Sequence, residues 1–513
     1  MRTLFTGGLI RTSVSATTAD WLLIEDQRVV AAGGAHDSPA ADTTVELGGG
    51  TLLPAFRDAH VHLPATGLYA TGLDLRGERS AEVILAAFRR KASEDPSAIL
   101  FGGNFEDPLS RTVLAPDLDE AVGSRPALLA RADMHSCIVS TVLLAALPLD
   151  GVEGVDRDSD GAPTGYLREQ AAAEAWTWFD KQLTPLQQTE AVRAAVALAY
   201  SKGIAEVHEM FVVEWRGWPA AEVFTEAIRD VALEVALWLG TDEVERVVEL
   251  GHRRIGGDYF LDGSFGSHTA WLGAPYTSSP PAGSGPTGIS YRDDEALFEL
   301  FRAAQLADLQ MGVHAIGDAA IEQAVRTWER VAGEVGTDEV KRKGHRIEHF
   351  ECASDEHIRR AVALGLSASV QPAFDLYWGG EAGLYSDRIG WERAQGMNRF
   401  GSMLSAGLNL AAGSDSTVTP LDPFLQMFAL RQHHVAAERL DAATALDMHT
   451  RAPAAISDSG APRGTLEVGH QADLVLVSRD PLTTPDDQLQ ATEVLGTWIA
   501  GQRVWPPDDA EAA

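Results

Sequence analysis

Leu53-Pro54-Ala55-Phe56-Arg57-Asp58-Ala59-His60-Val61-His62 is the stretch on which the reading of the whole chain turns. It begins apolar, as a buried strand does, and ends in a His-x-His pair. Residues two apart on a strand project the same way, so His60 and His62 leave one strand end together. Two neutral imidazoles converging on a point suit Zn²⁺ or a similar divalent ion. Taken alone, the pair is equally well explained as two surface histidines.

Working outward, the run Leu52 to His62 is the first of eight short apolar segments that end in polar residues. The others are Gly203 to Glu209, Leu233 to Gly240, Tyr259 to Asp262, Gln310 to His314, Arg346 to His349, Ala368 to Gln371 and Leu408 to Ser414. Between them lie Ala-, Leu- and Glu-rich stretches with helical spacing, such as Thr189 to Lys202 and Asp294 to Asp308. This alternation predicts an α/β fold, a (β/α)8 TIM-like barrel. The interval between the first and second strands far exceeds one crossover, so a large lobe inserted at about 65–185 is expected. The ends differ in texture. Thr3 to Thr12, Trp21 to Ala32 and Thr44 to Leu47 read as strands, as do Ala472 to Val477 and Val494 to Val504. They predict a small β domain built from 1–51 and 460–513 around a barrel unit at 52–459.

Composition narrows the function. Among 513 residues, 41 basic against 74 acidic side chains leave a formal charge of −33, which repels phosphate backbones and anionic lipid. Nucleic-acid and membrane-surface binding are therefore not expected, and a small-molecule partner is. No apolar run approaches the ~20 residues of a membrane span. The two cysteines, Cys137 and Cys352, cannot form a disulfide framework or a Cys-rich zinc site, which favours a cytoplasmic setting.

Support for a metal comes from the other strand ends. His314 closes one strand, His349 a second, and Asp415 follows a third in Ala412-Gly413-Ser414-Asp415. In a barrel all strand C-termini open onto one face, so these groups converge with His60 and His62. Buried His and Asp are uncommon unless paired or metal-bound.

These motifs carry a family resemblance. The Pro-x-Phe-x-Asp-x-His-x-His opening at Pro54 to His62, His-Ala-Ile-Gly-Asp at His314 to Asp318 and Arg-Ile-Glu-His at Arg346 to His349 resemble the metal-dependent amidohydrolase superfamily. Asp160 to Gly165, Asp262 to Ser267 and the tail Gly464 to Leu474 narrow the resemblance to its amidohydrolase-3 branch, which includes N-substituted formamide deformylases. The resemblance implies that the terminal strands form a β-sandwich and that His60 and His62 bind a first metal. It implies that Asp415 completes the ligation and serves as general base. His314 and His349 would bind a second ion, or one would ligate and the other orient substrate. It also admits a homodimer.

Two positions depart from the family pattern. Asp258 stands where a bridging lysine is usual, four residues before Asp262. As a shorter side chain it is expected to fall short of a metal pair, which favours one ion, zinc before others, over two. His268 replaces a usual arginine and either tunes specificity or is a solvent-facing loop histidine. Glu206, His208 and Glu209 offer a substitute ligand or a polar cluster at the mouth. In the lobe, Asn104-Phe105-Glu106-Asp107 and Ala132-Asp133-Met134-His135-Ser136 match capping stretches, which makes Phe105 and His135 substrate candidates. Trp378, with Phe374 and Tyr377, is a candidate pocket wall. No organic cofactor site is expected.

The expected chemistry is hydrolysis of a non-peptide carbon–nitrogen bond (amide, N-acyl or N-formyl) by a metal-activated water, with Asp415 as base and His349 assisting. The same site admits a deaminase, an esterase, or a metal-dependent lyase or isomerase. An inactive binding protein is a further alternative.

Overall fold

The computed structural model describes residues 1–15, 18–36, 38–94, 99–106, 108–132, 135–280, 285–457 and 462–507. Eight strands run in parallel and in sequential order: Phe56–Val61, Ile204–Phe211, Glu234–Leu239, Arg254–Ile255, Gln310–Ala315, Arg346–His349, Ser367–Val370 and Asn409–Ala412. A bridge between Val61 and Ser416 joins the last strand's extension to the first, so the barrel is nearly closed. Side chains reinforce the seam. The Asp58 carboxylate accepts the Ser414 N–H at 3.0 and 3.1 Å. Gly413 sits so close to the first strand that a Cβ there would lie 2.4 Å from the His60 nitrogen, which leaves room for glycine alone.

The crossover helices bury one apolar face. Asp318–Val335 presents Ile321, Val325, Trp328 and Ala332 at spacings of four, three and four. Trp328 stacks on Phe301 of helix Asp294–Leu306 with ring centroids 4.5 Å apart. That second helix begins where Asp293 caps the N–H groups of Glu295 and Ala296. Truncating a ring as buried as Trp328 costs about 3–5 kcal/mol.

Two expected strands are corrected. The run Leu52 to His62 is two strands, because the chain changes sheets at Ala55. Thr51–Pro54 pairs with Arg2–Ile10 and Leu474–Val477, whereas Phe56–Val61 enters the barrel. The fourth barrel strand is Arg254–Ile255, not Tyr259 to Asp262. Gly256 and Gly257 follow it at φ 81° and 74°, a conformation other residues resist, and take the chain out of the ladder. Only Phe260 returns, through one bridge to His314.

Strands from both ends pair in one mixed sheet, with Leu474–Val477, Val494–Ile499 and Gln502–Trp505 extending it beyond Thr51–Pro54. Residues 16, 17, 37, 460, 461 and 508–513 of the expected terminal unit lie outside the described residues. Between the first and second barrel strands, six strands from Leu73–Asp74 to Pro163–Arg168 form a separate sheet over a core that includes Ile84, Phe88, Leu118 and Leu129. Among the described residues no helix is long and apolar enough to cross a membrane.

Inside the barrel, below the strand C-termini, lies a buried polar layer. Arg57 donates to Glu206 at 2.9 Å and to Asp473 at 3.0 Å. Arg346 donates to Glu348, to the Ala59 carbonyl and to His208 Nδ1. Burial, followed by the nearby Arg346, pulls His208 down to about 4 despite Glu206, so its ring is neutral. It accepts from Arg346 at one nitrogen and meets Glu206 at the other.

Candidate metal centre

Six side chains meet at the strand C-termini. His60 comes from the first strand and His62 directly follows it, while His314 comes from the fifth and His349 from the sixth. Asp415 follows the eighth, and Asp258 follows the glycine pair after the fourth. His349 and Asp415 sit at φ 70° and 50°. For non-glycine residues such backbone costs on the order of 1–3 kcal/mol and clusters at functional sites.

Each imidazole is fixed from behind. His60 Nδ1 donates to Glu348 at 2.9 Å and His62 Nδ1 to the Met210 carbonyl at 3.0 Å. His349 Nδ1 donates to Gln371 Oε1 at 2.7 Å, and His314 Nε2 to the Gly263 carbonyl at 3.2 Å. Acceptors behind the ring set which nitrogen keeps its lone pair. Nε2 of His60, His62 and His349, and Nδ1 of His314, therefore turn inward.

The ligand atoms of His60, His62 and Asp415 lie within 4.8 Å of one another, as do those of His60, Asp258 and His349. Asp258 stands between the two histidine pairs. Its Oδ2 is 3.4 Å from His60 Nε2 and 3.0 Å from His62 Nε2, while Oδ1 is 3.7 Å from His314 Nδ1 and 3.6 Å from His349 Nε2. The expectation that aspartate falls short is thus corrected: the backbone at Gly256 and Gly257 supplies the reach that the side chain lacks.

Burial with no partner tests whether the set fits a metal. His60 Nε2, His314 Nδ1, His349 Nε2, Asp258 Oδ1 and Asp415 Oδ1 are all buried and without a hydrogen bond. Buried polar atoms are rarely left so, and five of them clustered at the strand C-termini is the pattern that bound cations would complete. The electrostatics agree. Burial opposes charge on His62, yet the Asp258 and Asp415 carboxylates outweigh it and raise the ring to about 10. Burial likewise opposes the Asp415 anion, but His60 and His62 hold it below the ordinary carboxylate range. The cluster demands positive charge at its centre.

His62, Asp258, His314, His349 and Asp415 line a small chamber of about 70 Å³, joined by Glu209, which accepts the Leu63 N–H at 2.6 Å. Outside it opens a mouth cavity of about 390 Å³, bounded by His349, Asp415, Phe374, Trp378, Tyr385 and Glu351. His135 lines both. Tyr377 belongs to the mouth cavity as well.

Other expected residues fall elsewhere. Phe105 is wholly buried in the core of the inserted region and lines neither space, because its strand turns it inward while Glu106 reaches the cavity. His268 is neither in the cavity nor solvent-facing. Its Nε2 lies 2.9 Å from Ser278 Oγ and its ring packs on Tyr276, and burial with Arg388 pulls it down to about 4. Glu206 and His208 belong to the polar layer beneath and are committed to Arg57 and Arg346. Asp107, Asp133 and Met134 lie outside the described residues.

Sequence reasoning missed Gln371 and Glu351 and gave Glu348 no role. Glu348 adjoins His349 in Arg-Ile-Glu-His, which was a usable signal. Gln371 ends the seventh-strand run, and nothing local marks it. Glu351 is buried, receives the Tyr385 hydroxyl at 2.8 Å, and is pushed up to about 7 by burial.

Comparison with known proteins follows the same line. The family described as "Amidohydrolase family" matches residues 43–505. YtcJ of Bacillus subtilis (strain 168) is 27% identical across 98% of this chain and 99% of its own. The N-substituted formamide deformylase of Arthrobacter pascens is 25% identical over 89% of each. The solved structure of an uncharacterized metal-dependent hydrolase from Pyrococcus furiosus superposes with a TM-score of 0.73 at 26% identity, covering 94% of this chain and 100% of that one.

Proposed function

The chain belongs to the amidohydrolase family and is a hydrolase of carbon–nitrogen bonds, and from that premise we propose that it cleaves an amide-type bond of a small organic substrate with Asp415 as general base. The observation that carries this reading is the ring of five unpartnered buried atoms at one end of the barrel. His60, His62, Asp258 and Asp415 would hold a divalent ion, with zinc the first choice for this nitrogen- and oxygen-rich set. His314 and His349, within reach of the other Asp258 oxygen, would hold a second ion or orient the substrate. A bound ion supplies Lewis acidity and makes water acidic enough to act as a nucleophile near neutral pH.

The chain's own groups do the rest. Asp415, held ionised and facing both chamber and mouth cavity, accepts the proton of the attacking water and returns it to the leaving nitrogen. Glu348, Gln371 and the two backbone carbonyls keep the imidazoles from turning. Phe374, Trp378 and Tyr385 give the substrate an apolar wall. The division into a 52–459 hydrolase unit and a small unit from 1–51 and 460–513 is part of this proposal, as is a cytoplasmic setting.

Product analysis in isotopically labelled water tests the reaction class. The metal-loaded protein, given N-formyl and N-acyl amines, should place solvent oxygen in the released carboxylate. Release of amine with an unsaturated product and no labelled carboxylate would assign a lyase instead, and rearrangement with no amine released an isomerase.

A further inference from the structure

The metal chamber has two large neighbours. Besides the mouth cavity, a second cavity of about 450 Å³ lies against the inserted region, bounded by Trp176, Trp215, Phe260, Ile289 and Tyr291. His135, Trp215 and Phe260 line both this cavity and the chamber, so a wall one side chain thick divides them. Phe260 packs 4.6 Å from His314 and stacks on Trp215 at 4.7 Å with the rings 13° apart.

His135 lines all three spaces and marks their junction. Its Nδ1 lies 3.1 Å from Glu169 Oε2, and Glu169 also receives the Thr269 and Tyr291 hydroxyls, each at 3.0 Å. Glu169 is held at φ 45° while doing so. The junction is thus braced from the inserted region and from the loop after the fourth strand.

Size and position assign the spaces. The chamber, at about 70 Å³, has room for the reacting atoms only, whereas the flanking cavities of about 390 and 450 Å³ are each in the roughly 300–1,000 Å³ range of small-molecule sites. A formamide needs space on its amine side alone, since its acyl carbon carries hydrogen. Two large cavities flanking one chamber fit an amide with a substantial group on each side. Asp415 lines the mouth cavity but not the second one. Because its proton goes to the leaving nitrogen, the amine lies in the mouth cavity and the acyl group extends past Phe260. The aromatic wall there favours an apolar acyl group. The arginines at its edge are already matched, Arg292 to Glu214 and Arg168 to Asp156.

Building on the hydrolase reading above, we infer that the substrate is an N-acyl amine whose bulky, uncharged acyl group occupies the cavity behind Phe260 and Trp215. Hydrolysis would add the oxygen of water to the acyl carbon, break the C–N bond and move both protons of that water to nitrogen, giving a carboxylate and an ammonium ion.

Calorimetry on the metal-loaded protein with two hydroxamates tests this without turnover. One probe, N-benzyl formohydroxamic acid, has a group on the amine side only; the other, N-benzyl phenylacetohydroxamic acid, has one on both. The two-armed probe should bind about tenfold tighter or more, the low end of what burying a phenyl ring contributes. Ala173→Phe, which fills the second cavity, should bring that ratio close to one. Equal affinities in the unmodified protein, or a ratio untouched in a folded variant, would overturn the inference; the unmodified comparison stands even should the variant misfold. N-benzylformamide and N-benzylphenylacetamide are then assayed for cleavage. Tight two-armed binding with neither amide cleaved would sink the hydrolase reading alone. Cleavage of the formamide with no two-armed preference would sink this inference alone.

Discussion

Two buried clusters of ionisable groups lie one above the other in the barrel, and they behave in opposite ways. In the lower layer, the side chains of Arg57, Glu206, His208 and Arg346 meet one another or a backbone carbonyl at hydrogen-bond distance. At the strand C-termini above, five inward-facing atoms of His60, His314, His349, Asp258 and Asp415 have no hydrogen-bond partner. Residue types and burial are alike, so neither separates a structural network from a functional one. Completeness does. A buried polar group left unpaired costs free energy unless a ligand takes it up.

Substitutions in the two clusters should therefore fail in different ways. The largest effect is expected in the chamber: Asp415→Asn should lower kcat by roughly 10²–10⁴-fold, the range of a lost general base, while denaturant unfolding of the metal-free protein shows no loss of stability. Retained turnover would remove Asp415 from the base role. In the layer below, Arg57→Met leaves Glu206 and Asp473 buried without their cation, and breaking a buried pair costs about 3–5 kcal/mol. Here unfolding should move to clearly lower denaturant. An unmoved transition would mean that the lower cluster is not a stability element and that the contrast fails.

The smallest effect is a pH dependence of the lower layer. His208 faces Glu206 and Arg346, with Arg254 adding to the repulsion, and its folded-state value of about 4 lies below the ordinary 6.5. A lowered value means that the unfolded chain takes up the proton first. The contribution of His208 is thus complete above pH 6.5 and lost as pH falls toward 4. Unfolding midpoints measured across that window should decline, and His208→Gln should flatten the decline. An equally steep slope in the variant would place the acid sensitivity elsewhere.

Much of the site was legible beforehand, for a reason that can be stated residue by residue. His60, His62, His314 and His349 end strands, and Asp415 follows one; a parallel barrel brings strand ends to one face whatever lies between them. Phe105 was misjudged because a motif gives neighbourhood and not direction: its strand turns the ring into the core and leaves Glu106 at the cavity. His268 shows the same limit, since its loop at φ 60° sends the ring to Ser278 and Tyr276. The fourth strand is displaced because a run of consecutive buried apolar residues, Tyr259 to Leu261, follows after the ladder has ended at Ile255.

By itself the amino-acid order determined the barrel, the residue types at its open end and the family, because these follow from local periodicity and short motifs. The tertiary structure decided which nitrogen of each histidine faces inward, whether Asp258 reaches both pairs, and that a second cavity adjoins the chamber. Those outcomes depend on backbone dihedrals at Gly256 and Gly257 and on partners remote in the chain, such as Glu348 for His60. Contacts of that kind exist only after the chain has closed on itself.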